Sequence, residues 1–226
     1  MTDAWTRAAA DDPLDGLRAR LTAADCGYEP QGGYEDHCWL LHSLYDPDGT
    51  RHRWHEVLTG AGRRLADWPG TLSHLTFEGI EAAADLDGVH GGEIDRATLR
   101  TLVTHLARHG DHGDDTPCGA AQAPVNSAPG VPLTDDPFQR PAPTRPQDDL
   151  IAWRGPLATA VAHHDSAPEF WFPATWWAAD GGWLVLTDAD LSATEVFGSH
   201  ALIEDLLADP ELEAVRRPTI AATFGA

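Results

Sequence analysis

Apolar residues recur at helical spacing in three stretches of the chain. Leu14, Leu17 and Leu21 follow Asp12-Pro13, an N-cap with proline at the first helical position, and run up to Cys26-Gly27. Leu99, Leu102, Val103 and Leu106 mark a second helix over 94–109, with Gly110 where a C-terminal stop belongs. Leu202, Ile203, Leu206 and Leu207 mark a third, capped by Ser199 and ending near Pro210. A fourth, from Pro156 to His163, is also expected. Between them lie runs rich in aromatic and aliphatic residues. Residues 34–45 and 52–58 flank Asp46-Pro47-Asp48-Gly49 and predict a hairpin. Residues 176–178 and 183–187 flank Asp180-Gly181-Gly182 and predict a second, with a further strand over 194–197.

The prolines at 117, 124, 129, 132, 137, 141, 143 and 146 interrupt this pattern, because proline disfavours both helix and central strand. The expected fold is therefore α+β, as two small antiparallel-sheet-plus-helix units. They are an N-terminal unit over 1–110 and a Trp-rich hairpin with a helix over 150–226, joined by a Pro/Asp-rich linker at 111–149. The alternative is a strap over one surface, anchored by Val131, Leu133 and Phe138.

Charge changes the picture most. The 226 residues carry a net charge of −21, and all 15 cations are arginine. Between Arg154 and Arg216 there are eleven acidic residues and no basic one, in a stretch that also holds Trp171, Trp176, Trp177 and Trp183. Such a segment must tolerate a negative field, borrow arginines from elsewhere, or meet a cation. The charge predicts no nucleic-acid partner, since phosphates need a basic stripe, and no anionic membrane surface. No apolar run approaches the roughly 18 residues of a membrane span, and Met1 to Arg20 lacks the basic start and apolar stretch of a signal peptide, so a cytoplasmic location is expected. Cys26, Cys38 and Cys118 are odd in number and lack metal-site spacing. The absence of lysine excludes standard Schiff-base, P-loop and kinase chemistry, and there is no G-x-S-x-G or H-E-x-x-H.

Asp188-Ala189-Asp190-Leu191, Thr194, Val196, Gly198-Ser199, Leu202-Ile203, Leu206-Leu207, Asp209-Pro210 and Leu212-Glu213-Ala214, with the Trp-bearing strands before them, form a pattern over the last quarter to third of the chain. It resembles the C-terminal portion of uncharacterised actinobacterial proteins. The resemblance implies source and a cytoplasmic location, and it transfers no catalytic residue.

Five groups are candidates for chemistry or binding. His105, His109 and His112 set two imidazoles on one helix face and a third just past its end, a spacing that suits a metal, zinc first, and so a metal-dependent enzyme. His37, His42, His52 and His55 fall on the predicted first hairpin, where strand alternation puts His37 and His42 on opposite faces. Asp188-x-Asp190 has the form of a nucleotide-sugar metal motif, and His163-His164-Asp165 that of a metal phosphohydrolase pair, each without the fold context it needs. Lastly, Trp171, Trp176 and Trp177 with Asp188, Asp190, Glu204 and Asp205 suggest an aromatic patch ringed by carboxylates, typical of an interface. The leading expectation is an acidic, cytoplasmic protein-binding module, of the immunity or inhibitor type, for a basic partner. The alternative is the metal-dependent enzyme.

Overall fold

The computed structural model describes residues 5–7, 34–62, 86–88, 94–122, 151–166, 175–187 and 193–216. Four α-helices are found there, α1 (Trp54–Gly60), α2 (Arg96–His109), α3 (Ala160–Ser166) and α4 (His200–Ala208), with two 3-10 turns at Gly113–Asp115 and Leu157–Thr159. Eleven strands accompany them. They are β1 (Thr6–Arg7), β2 (Asp36–Leu41), β3 (Leu44–Tyr45), β4 (Arg51–His52), β5 (Asp87–Gly88), β6 (Pro117–Gln122), β7 (Ile151–Pro156), β8 (Thr175–Ala178), β9 (Leu184–Thr187), β10 (Ala193–Gly198) and β11 (Ala214–Val215). Eight form one sheet in the order β1-β7-β6-β8-β9-β10-β2-β11, and β4-β3-β5 form a small second sheet. Every pairing is antiparallel. The class is α+β.

Alternation along the strands sorts the large sheet into two faces. Val196 lies opposite both Cys38 and Val185, and Trp176 opposite both Val185 and Ala120, so this row shares one face. It packs against Leu99, Leu102 and Leu106 of α2, Ala160 of α3, and Leu202, Ile203 and Leu206 of α4. These apolar positions are why the helices lie where they do. On the other face Trp39, Leu41 and Ala193 meet Leu44, Trp54 and Leu58, placing the small sheet and α1 there. Leu184 and Phe197 continue that face, with Tyr34, Trp177 and Leu186 against them.

The strand order interleaves the parts that the sequence pattern separates. β2, from the first third of the chain, lies between β10 and β11 from the last third. β6, inside the stretch expected as a linker, is an interior strand between β7 and β8. Its glycine explains its fit: a Cβ at Gly119 would lie 2.1 Å from Cζ2 of Trp177, whose indole covers that position. Residues 123–150, with the proposed strap anchors, and the Asp12-Pro13 helix lie outside the described residues.

Local signals resolve at several places. Asp95 caps α2 by accepting from the backbone N–H of Ala97 and Thr98, and Ser199 caps α4 by accepting from Leu202. The β8–β9 hairpin turns at Ala179–Gly182, where Gly181 has φ of 79°, a left-handed geometry that glycine adopts without strain. The first hairpin differs from expectation beyond its turn: 54–60 is helical. Glu213, far along the chain, accepts from the N–H groups of Trp54 and His55, both at 2.7 Å, and so satisfies the free donors of α1. A local sequence pattern cannot contain that partner.

Candidate functional site

The expected metal-binding histidines lie along the seam between α2 and α4. Leucines on both helices bury their inner faces, which brings the polar edges of the two helices side by side in opposite directions. His105 Nε2 lies 2.6 Å from Asp209 Oδ2, and His109 Nε2 lies 2.8 Å from Asp205 Oδ2. Arg108 adds a longer contact to Asp205 at 3.8 Å. The hydrogen bond from His109 holds the Asp205 carboxyl below its ordinary value, while at Asp209 burial opposes and the bond from His105 prevails. His112 stands past the helix end, exposed. The structure thus pairs His105 and His109 with separate carboxylates; the one convergent group of potential metal donors among the described residues is elsewhere, at Asp36, His200 and Glu204.

The expected partner-binding set is divided. Trp176 is in the core between the sheet and the helices, whereas Trp177 points to the opposite face and is half-buried. Glu204 is exposed on α4, bonded to Arg216, and Asp205 belongs to the seam. Trp171, Asp188 and Asp190 lie outside the described residues. The other histidines serve as local partners. His37 stacks on Phe197 with ring centroids 5.7 Å apart, and on the opposite face His42 Nε2 is 2.8 Å from the Thr194 hydroxyl, which contacts Thr187 at 2.9 Å. His52 meets Asp46, His55 meets Glu213, and His163 stacks on Trp5 at 4.8 Å. Asp165 pairs with Arg96 across to α2. Burial pushes His42 down to about 4 and the Cys38 and Cys118 thiols up to about 12, so these cysteines are not poised as nucleophiles.

Carboxylates gather instead at one end of the sheet, a feature that the sequence pattern left unassigned. α2 stops at Gly110, Asp111 follows at once, and Asp114 and Asp115 lie in the 3-10 turn Gly113–Asp115 just beyond, all three exposed. The backbone N–H of Ala179 donates to Pro117 O at 2.8 Å, which draws the β8–β9 turn and its exposed Asp180 alongside. The register Cys118↔Ala178 sets the start of β6, just past Asp115, beside the turn that carries Asp180. Asp111, Asp114 and Asp115 form no ion pair among the described residues. The C-terminal end of a helix carries partial negative charge and favours cations, each worth about 0.3–1 kcal/mol. Here it receives three carboxylates, while the basic groups of its last turn, Arg108 and His109, face Asp205. The legible signal was the order of residues: a helix stop followed at once by Asp-His-Gly-Asp-Asp.

Elsewhere the acidic C-terminal part borrows cations, Arg96 for Asp165 and Arg108 for Asp205, one of the three outcomes its composition allowed. No helix among the described residues is long and apolar enough to cross a membrane. Comparison with protein-family models, with curated proteins and with solved structures finds no match.

Proposed function

We propose that this protein is a binding module for a cationic protein surface and that it docks through the end formed by Asp111, Asp114, Asp115 and Asp180. The observation that carries this reading is the placement of uncompensated carboxylates at the C-terminal end of α2, where the helix itself opposes them. Two unit charges about 10 Å apart at an effective dielectric near 20 repel by roughly 1.7 kcal/mol. The free protein bears that repulsion, and a partner presenting arginine or lysine relieves it. Exposed carboxylates also steer encounter, so association is fast and falls steeply with salt. Burial of Trp176 removes it from the docking face, and the contact is chiefly electrostatic.

The test separates location from net charge. The triple variant Asp111→Asn, Asp114→Asn, Asp115→Asn is compared with Asp48→Asn, Glu56→Gln, Glu211→Gln, which removes the same charge from exposed positions elsewhere. With an arginine-rich peptide as probe, titrated by fluorescence anisotropy at several salt concentrations, the first variant loses most of the affinity and of the salt dependence. The second keeps both. Equal losses in the two variants would show that only the overall charge matters and would remove the docking face.

A further inference from the structure

We propose that Asp36, His200 and Glu204 form a divalent transition-metal site, best matched to zinc, in which the guanidinium of Arg216 is a built-in competitor. The geometry follows from the fold. The register Gly198↔Asp36 sets the first residue of β2 beneath the start of α4. Ser199 caps that helix, so His200 is its first residue and Glu204 lies one turn further on the same face. One donor atom from each of the three side chains lies within 4.8 Å of the others, against about 3.3 Å between the ligands of a tetrahedral zinc. His200 Nδ1 is already 2.8 Å from Asp36 Oδ2, and His200 Nε2 is 3.9 Å from Glu204 Oε1. Because His200 and Glu204 are exposed, small side-chain rotations close the remaining gap. One imidazole and two carboxylates make a donor set for zinc, with water as the fourth ligand.

A cation held from another element already meets these carboxylates. Arg216, at the end of β11, donates to both oxygens of Asp36 and also to Glu204. The Arg216 and Glu204 side chains are 43% and 54% exposed, a setting in which an ion pair contributes little, whereas Asp36 is 14% exposed, so its pair with Arg216 is the contact that a coordinated dication has to displace. Release of Arg216 would also remove one tether of β11, which pairs with β2 through Ala214↔Leu40 and Val215↔Trp39 and is held besides by the bond from Leu41 N to Glu213 O at 2.9 Å. Metal occupancy and attachment of the last strand are thereby coupled.

The test is calorimetric titration of the full chain with zinc chloride. Wild type takes up a single zinc. His200→Ala and Glu204→Gln, both exposed and outside the core, weaken that uptake roughly tenfold or more through loss of a ligand. Arg216→Gln tightens it about fivefold, the equivalent of one exposed ion pair. His109→Ala leaves it unchanged. Absence of zinc uptake by wild type overturns the proposal. So does unchanged affinity in His200→Ala, or an Arg216→Gln variant that binds no more tightly than wild type.

Discussion

Replacing Asp95 tests how α2 is held to the sheet. The carboxylate is buried and accepts from Ala97 N at 3.2 Å, Thr98 N at 3.1 Å, Thr98 Oγ1 at 2.7 Å and, across the fold, Ser43 N at 3.2 Å. Arg51 closes the group, its Nε donating to Ser43 Oγ at 2.7 Å and lying 3.7 Å from Asp95. Asp95→Ala removes a helix cap, worth about 1–2 kcal/mol. It also leaves the buried Ser43 N–H without an acceptor, at a further cost of about 1–3 kcal/mol. A loss of about 3 kcal/mol is expected, a large part of the roughly 5–15 kcal/mol that stabilises a domain. Asp95→Asn keeps one acceptor oxygen and loses about half as much. Burial alone would raise the Asp95 carboxyl, yet the bonds from Thr98 and Ser43 outweigh it and hold the group below its ordinary value. Its contribution is therefore present above the unfolded carboxylate range and is lost as pH falls through the lowered folded value. Urea unfolding followed by tryptophan fluorescence measures this at neutral pH, and again on acidification. A loss below about 1 kcal/mol for Asp95→Ala with unchanged slope would refute the capping account. Equal losses in the two variants would assign the effect to charge against Arg51.

Two further outcomes follow from the packing. Gly119→Ala drives a methyl into the Trp177 indole, which is a rigid ring against the sheet, so the variant unfolds about 1–3 kcal/mol more easily in urea; wild-type stability would mean that the indole moves aside without loss. His42, pushed down to about 4 by burial, takes up its proton more readily in the unfolded chain. Stability is therefore full above the ordinary imidazole range near 6.5 and falls as pH drops towards 4, by about 2 kcal/mol at about pH 5. His42→Gln, which keeps a donor for Thr194, should flatten that slope, and equal slopes in both proteins would show that other groups cause it.

Elements whose signals are local were legible in the sequence. α2 follows from four apolar positions and Gly110; the β8–β9 hairpin follows from a glycine turn between tryptophans; α4 follows from Ser199 and its leucines. Elements that depend on distant partners were not. α1 draws its cap from Glu213, β6 is recruited by β7 and β8 despite Pro117, and the strand Ile151–Pro156 carries too short a pattern to be read alone. At the candidate site, the helical spacing of His105 and His109 was right, but their carboxylates come from α4, a neighbour that only the tertiary fold supplies. The same holds for Asp36 with His200, which strand register alone brings together.

The position of β2 between β10 and β11 has a consequence for synthesis. His42, just after β2, meets Thr194 across 152 residues of chain. At about 5–20 residues per second a ribosome needs roughly ten to thirty seconds to deliver those partners. Throughout that interval Cys38, Trp39, Leu40 and Leu41, all deeply buried in the finished protein, have neither neighbouring strand. The nascent chain therefore carries a strand whose two edges only its own final third can pair, and slower translation lengthens the exposure of those edges to aggregation.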